Sequence, residues 1–504
     1  MTNLSEKNGC NLMELYKLMG YEIRDKLKRR EITLDALYQS LFERIHSTED
    51  LLHSFVHISE ENALKKAKQY QSALDKGKSI GYLYGLPFAN KDLISIKDVP
   101  TTCCSNILKG YSPPYNATVI DRLYKAGAIS IGNTNMDEFA MGSSTENSCY
   151  GPTYNPWDLT KVPGGSSGGA ASAVASGQTI FALGSDTGGS VRCPASFCGV
   201  VGLKPTYGRV SRYGLIAFAN SLDQIGCITK CVYDAALMLE VIAGKDPLDS
   251  TSLDVKVDNY PEELTKSIFN KTIGIPEEFF GEGVNKEVKN SVLKAIDRIE
   301  SLGANSVKVS IPHLEYTVAT YYLICMSEAS SNLARFDGLR YGYASENFEG
   351  DVYDFIKRTR SEGFGDEVRR RIFLGTYTLS AGYYDMYYIK ALKARALIKK
   401  DFTKAFKECD CIVSPTMPIT AFKLGELLDD PVQMYNIDIL TCPVNLVGLP
   451  ALSLPCGFDN NKMPIGFQII GDFFDEKTIL SIGYHLEQEL DIYREMPSIK
   501  RGKK

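Results

Sequence analysis

Thr118-Val-Ile-Asp-Arg-Leu-Tyr-Lys-Ala-Gly127, followed at once by Ala128-Ile-Ser-Ile-Gly132, decides the fold class. Thr118-Val-Ile-Asp121 has the hydroxyl-to-carboxylate spacing of a capping box, in which two side chains satisfy peptide N–H groups that open a helix. Gly127 ends that helix, since glycine enters the left-handed conformation of a helix C-terminus without strain. The next five residues are a short apolar strand, and a further helix is expected from Asn135. The alternation continues outward. Thr33 caps a helix with Leu34, Leu37, Leu41 and Ile45 at helical spacing, and another helix is expected from near Ser59 to Gly77. Gly199-Val-Val-Gly-Leu203, Asp410-Cys-Ile-Val-Ser414 and Pro464-Ile-Gly-Phe-Gln-Ile-Ile-Gly471 read as buried strands. Strands alternating with helices along the chain give an α/β fold, with a mixed or largely parallel sheet flanked by helices.

The chain has 504 residues, 44% hydrophobic and 23% charged, as in an ordinary soluble globular protein. Its 56 basic and 61 acidic residues leave a net charge of -5. That balance supplies no long-range attraction for nucleic acid, so any such contact would need a partner or a local patch. The 13 cysteines are scattered without the paired spacing of a zinc site, and reduced thiols in a cytoplasmic protein are expected. Neither a signal-peptide core nor an apolar run long enough to cross a bilayer is visible, so no membrane partner is expected. Organisation along the chain is expected to comprise a helical region over about residues 1–80, a glycine- and serine-rich core over about 85–226, and a peripheral excursion over about 340–370.

Chemistry concentrates in that core. Pro163-Gly-Gly-Ser166-Ser-Gly-Gly169 precedes a run of small residues, Ala170-Ala-Ser-Ala-Val-Ala-Ser176. Taken alone, this is equally a tight loop leading to a closely packed helix. Gly184-Ser-Asp-Thr187-Gly188-Gly189-Ser190 places three successive peptide N–H groups before a hydroxyl, which is what an oxyanion hole beside a nucleophile requires. Gly164-Gly-Ser166-Ser-Gly168 also fits the nucleophile-elbow pattern, but that elbow must follow a strand, and here a loop-like stretch from Asn155 to Pro163 precedes it.

A serine nucleophile needs a base. The five histidines, His46, His53, His57, His313 and His485, all lie outside this region. Lys91, in Gly85-Leu-Pro-Phe-Ala-Asn-Lys91, follows a short apolar run that could bury it. An exposed lysine is neutral about once in a few thousand molecules at pH 7. Making it basic near neutrality costs roughly 4 kcal/mol, which a large core could absorb. Spacing alone leaves both readings of Lys91 open, catalytic base and solvated charge.

Together the three segments resemble the amidase signature family, whose members use a serine, a second serine on a cis peptide, and a lysine in place of a histidine triad. The resemblance implies one large amidase-signature domain spanning 1–504. It makes Ser190 the nucleophile, Lys91 the base and Ser166 the proton relay, with Thr187, Gly188 and Gly189 as the oxyanion hole. Outer runs are similar to the A-subunit branch of the tRNA-dependent amidotransferases: Asp137-Glu-Phe-Ala-Met-Gly-Ser-Ser-Thr-Glu-Asn147, Glu328-Ala-Ser-Ser-Asn-Leu-Ala-Arg-Phe-Asp-Gly338, Ala381-Gly-Tyr-Tyr-Asp385 and Pro443-Val-Asn-Leu446. Cys103-Cys104 and Cys193 depart from the usual smaller or aliphatic residues.

That branch implies glutamine as substrate, B and C subunits as partners, and ammonia used to convert Glu-tRNA(Gln) to Gln-tRNA(Gln) or, as the alternative, Asp-tRNA(Asn) to Asn-tRNA(Asn). ATP and Mg would be used on the partner subunit, tRNA would be read mainly through it, and this chain would need no cofactor or metal. Glutamine is a zwitterion, so a selective pocket must offer a cation and an anion. Arg371, within Arg369-Arg-Arg-Ile372, and Asp438 match the branch's positions for these, with Arg370 the alternative to Arg371. Two rival readings remain: a stand-alone small-molecule amidase with the same catalytic three, and a non-catalytic assembly subunit whose glycine loops serve packing.

Overall fold

Thr33 does cap its helix: the side chain accepts a hydrogen bond from the Ala36 N–H at 3.2 Å, and Leu34–Leu52 follows with Leu37, Leu41 and Ile45 buried. The helix Glu60–Asp75 lies where Ser59 and Gly77 bracket it. These elements come from a computed structural model, which describes residues 12–499.

One sheet of eleven strands crosses the described residues. From edge to edge its order is Phe55–Ile58, Ile129–Thr134, Pro87–Lys91, Phe181–Asp186, Gln224–Thr229, Val201–Lys204, Ala451–Phe458, Pro464–Gly471, Cys411–Pro415, Thr272–Pro276 and Asn305–Val309. Pro87–Lys91 runs parallel to both neighbours, as does Thr272–Pro276, while the other pairings are antiparallel. The sheet is therefore mixed and flanked by helices, as the alternation predicts. All four quoted strands are present, Pro464–Gly471 with the predicted bounds. Every residue of the central strands Pro87–Lys91 and Phe181–Asp186 is buried, so their carboxyl ends deliver Lys91 and Asp186 to the same interior region.

Two local expectations are corrected. The helix at Thr118 runs to Lys125, but Ala117 is its N-cap and no capping box forms. The Thr118 hydroxyl instead donates to the distant Asp246, and Asp121 accepts from nearby Asn116, so other contacts take both side chains. No long helix starts at Asn135. Only a single turn, Glu138–Ala140, is present, because Phe139 and Ala140 take left-handed backbone angles and the Asn135 amide is drawn to Gly151 and Thr153.

Residues 352–363 form a helix, and Asp366–Leu379 forms a second that packs along Thr317–Asn332. A Cβ on Gly375 would lie 1.9 Å from the Met326 carbonyl oxygen, so that approach requires glycine.

Candidate active site

Lys91 ends its strand wholly buried, with its amine at 2.7 Å from Ser166 Oγ and 2.9 Å from Ser185 Oγ. Burial pushes its pKa down, against the pull of the Asp137 and Asp186 carboxylates, to about 7. Close to half of such amines are neutral at pH 7, so the lysine is a competent base where an exposed one is not. Among the described residues no histidine hydrogen-bonds to Lys91, Ser166 or Ser190: His46 pairs with Glu60, His313 with Asp401, His485 with a backbone carbonyl, His53 packs against Tyr154, and His57 lies on the edge strand Phe55–Ile58.

Ser166 lies in the loop before the helix Gly168–Ser176, whose nine residues are all buried. No strand leads into this loop, which excludes a nucleophile elbow. The Gly165–Ser166 peptide is cis. Glycine at 165 is a matter of space: a Cβ there would lie 2.1 Å from Asp137 Oδ2 and 2.6 Å from the Ser144 nitrogen. The Asp137 carboxylate in turn holds the Thr145 and Asn147 N–H groups, and the Asp137 N–H donates to the Ser166 carbonyl. The Ser167 N–H donates to the Ser190 carbonyl at 3.1 Å, which fastens the two glycine-rich segments side by side. Ser190 follows the strand Phe181–Asp186 by four residues and precedes the short helix Arg192–Cys198.

The peptide groups between Asp186 and Ser190 are held from outside. The Asp186 carbonyl accepts from Asn445 Nδ2, and the Gly188 carbonyl accepts from Thr441 Oγ1 at 2.7 Å. The Gly189 N–H is already donated to Asp186 Oδ1 at 2.9 Å. Among the described residues the Thr187 and Gly188 N–H groups have no such partner. The expectation of three open donors therefore meets two, because the Asp186 carboxylate folds back onto the third. Asp186 also pairs with Arg192 at 3.0 Å, both side chains fully buried. Burial works against its charge, but the guanidinium more than offsets it and holds the pKa at about 2.

Arg371 and Asp438 lie on different elements, the helix Asp366–Leu379 and the turn Ile437–Leu440, and both are buried. Arg371 Nε donates to Glu367 at 2.7 Å, and its guanidinium is ringed by Phe218, Tyr322 and Tyr435. Burial disfavours its charge, and Glu367 reverses that. Asp438 accepts from Tyr322 at 2.9 Å and from Ser143 at 3.0 Å. Burial pushes its pKa up to about 6, although those bonds and Arg371 pull the other way. Arg370 is 41% exposed against 3% for Arg371, so the buried cation is Arg371. Helical period puts Arg371 on the buried side: Val368, Arg371, Gly375 and Thr378 form the inward face.

Sequence reasoning missed Ser185, Asp186, Tyr322, Ser143 and Glu367. Ser185 and Asp186 stand inside the quoted Gly184–Ser190 stretch, and Arg192 two residues beyond Ser190 was the signal of a buried ion pair. Tyr322 and Ser143 carried no local signal, since their partner is more than a hundred residues away in each case.

Residues 36–480 match the family model described as Amidase. The chain belongs to the amidase family. The A-subunit of glutamyl-tRNA(Gln) amidotransferase from Geobacillus sp. strain WCH70 is 55% identical over 488 residues, spanning 97% of this chain and 100% of that protein. The protein of the same name from Halothermothrix orenii is 54% identical over 487 residues, again 97% and 100% of the two chains. Among solved structures, the corresponding A-subunit from Thermotoga maritima is 41% identical, with a TM-score of 0.80 over 97% of this chain and 99% of that one. The amidase family thus accounts for the whole sheet and both glycine-rich segments. No helix among the described residues is long and apolar enough to cross a membrane.

Proposed function

We propose that this chain is the glutamine-hydrolysing subunit of a cytoplasmic tRNA-dependent amidotransferase. The observation that supports the reaction most directly is the buried Lys91 amine at 2.7 Å from Ser166 Oγ, in a segment fastened to Ser190. Ser190 Oγ attacks the side-chain amide carbon of glutamine, and its proton passes through Ser166 to Lys91. The Thr187 and Gly188 N–H groups receive the oxyanion. Collapse of the tetrahedral intermediate breaks the C–N bond, with the proton returned to the leaving nitrogen as ammonia departs. Water then attacks the glutamyl ester on Ser190, releasing glutamate and restoring the hydroxyl.

Arg371 takes the α-carboxylate and Asp438 the α-ammonium. Partner B and C subunits complete the enzyme, with ATP, Mg and tRNA handled on the B subunit, where ammonia converts Glu-tRNA(Gln) to Gln-tRNA(Gln). High identity to proteins named for that reaction supports this assignment.

The test is glutamine hydrolysis by the reconstituted complex, with and without charged tRNA and ATP, in wild type and Arg371→Ala. A charge-assisted hydrogen bond contributes about 1.5–3 kcal/mol, so the variant is expected to raise KM for glutamine on the order of 10- to 100-fold. A neutral aliphatic amide should lose far less. Equal losses on both substrates would favour a stand-alone amidase.

The pH profile separates the two buried groups. Asp438 binds an ammonium only when ionised, and Lys91 accepts a proton only when neutral, so both act in the sense of activity rising with pH. In the free enzyme, kcat/KM for glutamine is expected to climb in two steps, near 6 for Asp438 and near 7 for Lys91. A neutral amide should show only the step near 7. A flat glutamine profile from about pH 5 to about pH 8 would contradict both assignments.

A further inference from the structure

Glu367 Oε1 links the helix that carries Arg371 to the helix that leads into the turn carrying Asp438. It accepts from Arg371 Nε at 2.7 Å, one helical turn along Asp366–Leu379. It also accepts from the Tyr435 hydroxyl at 2.8 Å, on the helix Pro431–Asn436 that leads directly into the turn carrying Asp438. The Tyr435 ring stacks on Tyr322, with centroids 4.0 Å apart and planes 26° apart, and Tyr322 donates to Asp438. Arg371, Glu367, Tyr435, Tyr322 and Asp438 thus form a continuous chain from cation to anion.

We propose that Glu367 is a positioning residue that fixes the Arg371 fork and its separation from Asp438, and so makes the site selective for an α-amino acid. The inference rests on the reading of Arg371 and Asp438 given under Proposed function. An arginine has five N–H donors in a rigid plane, and either its side or its end can meet a carboxylate. Glu367 occupies Nε and so closes the side. Nη1 and Nη2 make no hydrogen bond to a described residue and are not among the buried unpaired atoms, so they reach accessible space. The three surrounding rings restrict rotation of the guanidinium plane. The end of the fork is therefore what a ligand meets. The charges also balance: Glu367 Oε2 pairs with Arg370, so two arginines face Glu367 and Asp438 with no net charge, which suits a zwitterion.

The experiment compares Glu367→Gln and Tyr435→Phe with Arg371→Ala in the assembled amidotransferase, using glutamine and butyramide. Glutamine at 367 keeps the size and one acceptor but loses the charge that orients the fork. It is expected to raise KM for glutamine about tenfold while kcat falls less than about threefold. The ratio of kcat/KM for glutamine to that for butyramide should fall about tenfold. Tyr435→Phe deletes one hydroxyl, threatens folding least, and should lower the same ratio by roughly threefold. If Glu367→Gln lowers kcat and kcat/KM for both substrates alike, or if neither variant moves the ratio, the positioning role is wrong. If Arg371→Ala itself leaves KM for glutamine unchanged, the underlying carboxylate assignment fails, a result distinct from loss of effect at 367 and 435 alone.

Discussion

Ser190→Ala is expected to lower glutamine hydrolysis by at least about 10⁴-fold, because the variant has no oxygen to form the acyl-enzyme. What survives is ground-state binding and the peptide donors of Thr187 and Gly188, which stabilise an oxyanion only if some other nucleophile creates it. The loss should appear in kcat, with KM for glutamine nearly unchanged, since Arg371 and Asp438 are untouched. Misfolding offers no escape from this test. Ser190 is 8% exposed, its Oγ makes no hydrogen bond to another described residue, and so alanine orphans no partner. The substitution trims one oxygen from a buried side chain and breaks no hydrogen bond to another described residue, and a melting curve of the variant checks that the fold is kept. A fluorophosphonate probe gives an independent readout: it should label Ser190 in the wild type and nothing at that position in the variant. Undiminished turnover by Ser190→Ala would remove the nucleophile assignment. Failure of the wild type to react with the probe, in a folded and assembled complex, would revive the reading of these loops as packing devices.

Fold class was legible because it depends on patterns that survive without tertiary detail. Pro464–Gly471 is apolar apart from Gln468 and lies inside the sheet, so its burial is written largely in its composition. Thr33 was readable for the same reason, since its partner is only three residues away. Thr118 failed because its hydroxyl had two uses, a local cap and Asp246, and the distant one won. Asn135 failed similarly: its amide is spent on the 151–153 segment, and the backbone beyond it reverses sign at Phe139 and Ala140.

The site divides along the same line. Motif order pointed to Lys91, Ser166 and Ser190, yet the property that makes lysine a base, complete burial beside two hydroxyls, belongs to the folded sheet. Nothing in Gly184–Ser190 shows that the Gly189 N–H is turned onto Asp186. That orientation arises from Asp186 and Thr441 acting on the 188–189 peptide group and Asn445 on the 186–187 group, and Thr441 and Asn445 come from over two hundred and fifty residues downstream. Chemistry was readable from residue types, and donor geometry was not.

The largest effect after Ser190 is expected at Lys91. Lys91→Met keeps the length of the apolar stem and removes the amine, and kcat should fall about 10²- to 10⁴-fold, the usual contribution of a positioned general base. Two opposed terms govern stability. The Ser166 and Ser185 hydroxyls lose a partner, which costs about 1–3 kcal/mol for a buried group left unsatisfied. Against that, an amine whose charged form is disfavoured by burial is replaced by an apolar chain that needs no solvation. The net change should be small beside the activity loss, and a melting curve checks it. The decisive measurement is the residual rate against pH. In the wild type, burial brings the lysine pKa from 10.5 to about 7, raising the neutral fraction at pH 7 on the order of 10³-fold over an exposed lysine. Residual turnover in Lys91→Met should therefore lose the rise near pH 7. If that rise persists, the base lies elsewhere, and the candidates are the buried carboxyls Asp92 and Asp223, each pushed up to about 6 by burial. Asp92→Asn and Asp223→Asn then distinguish them: the variant that removes the rise identifies the base.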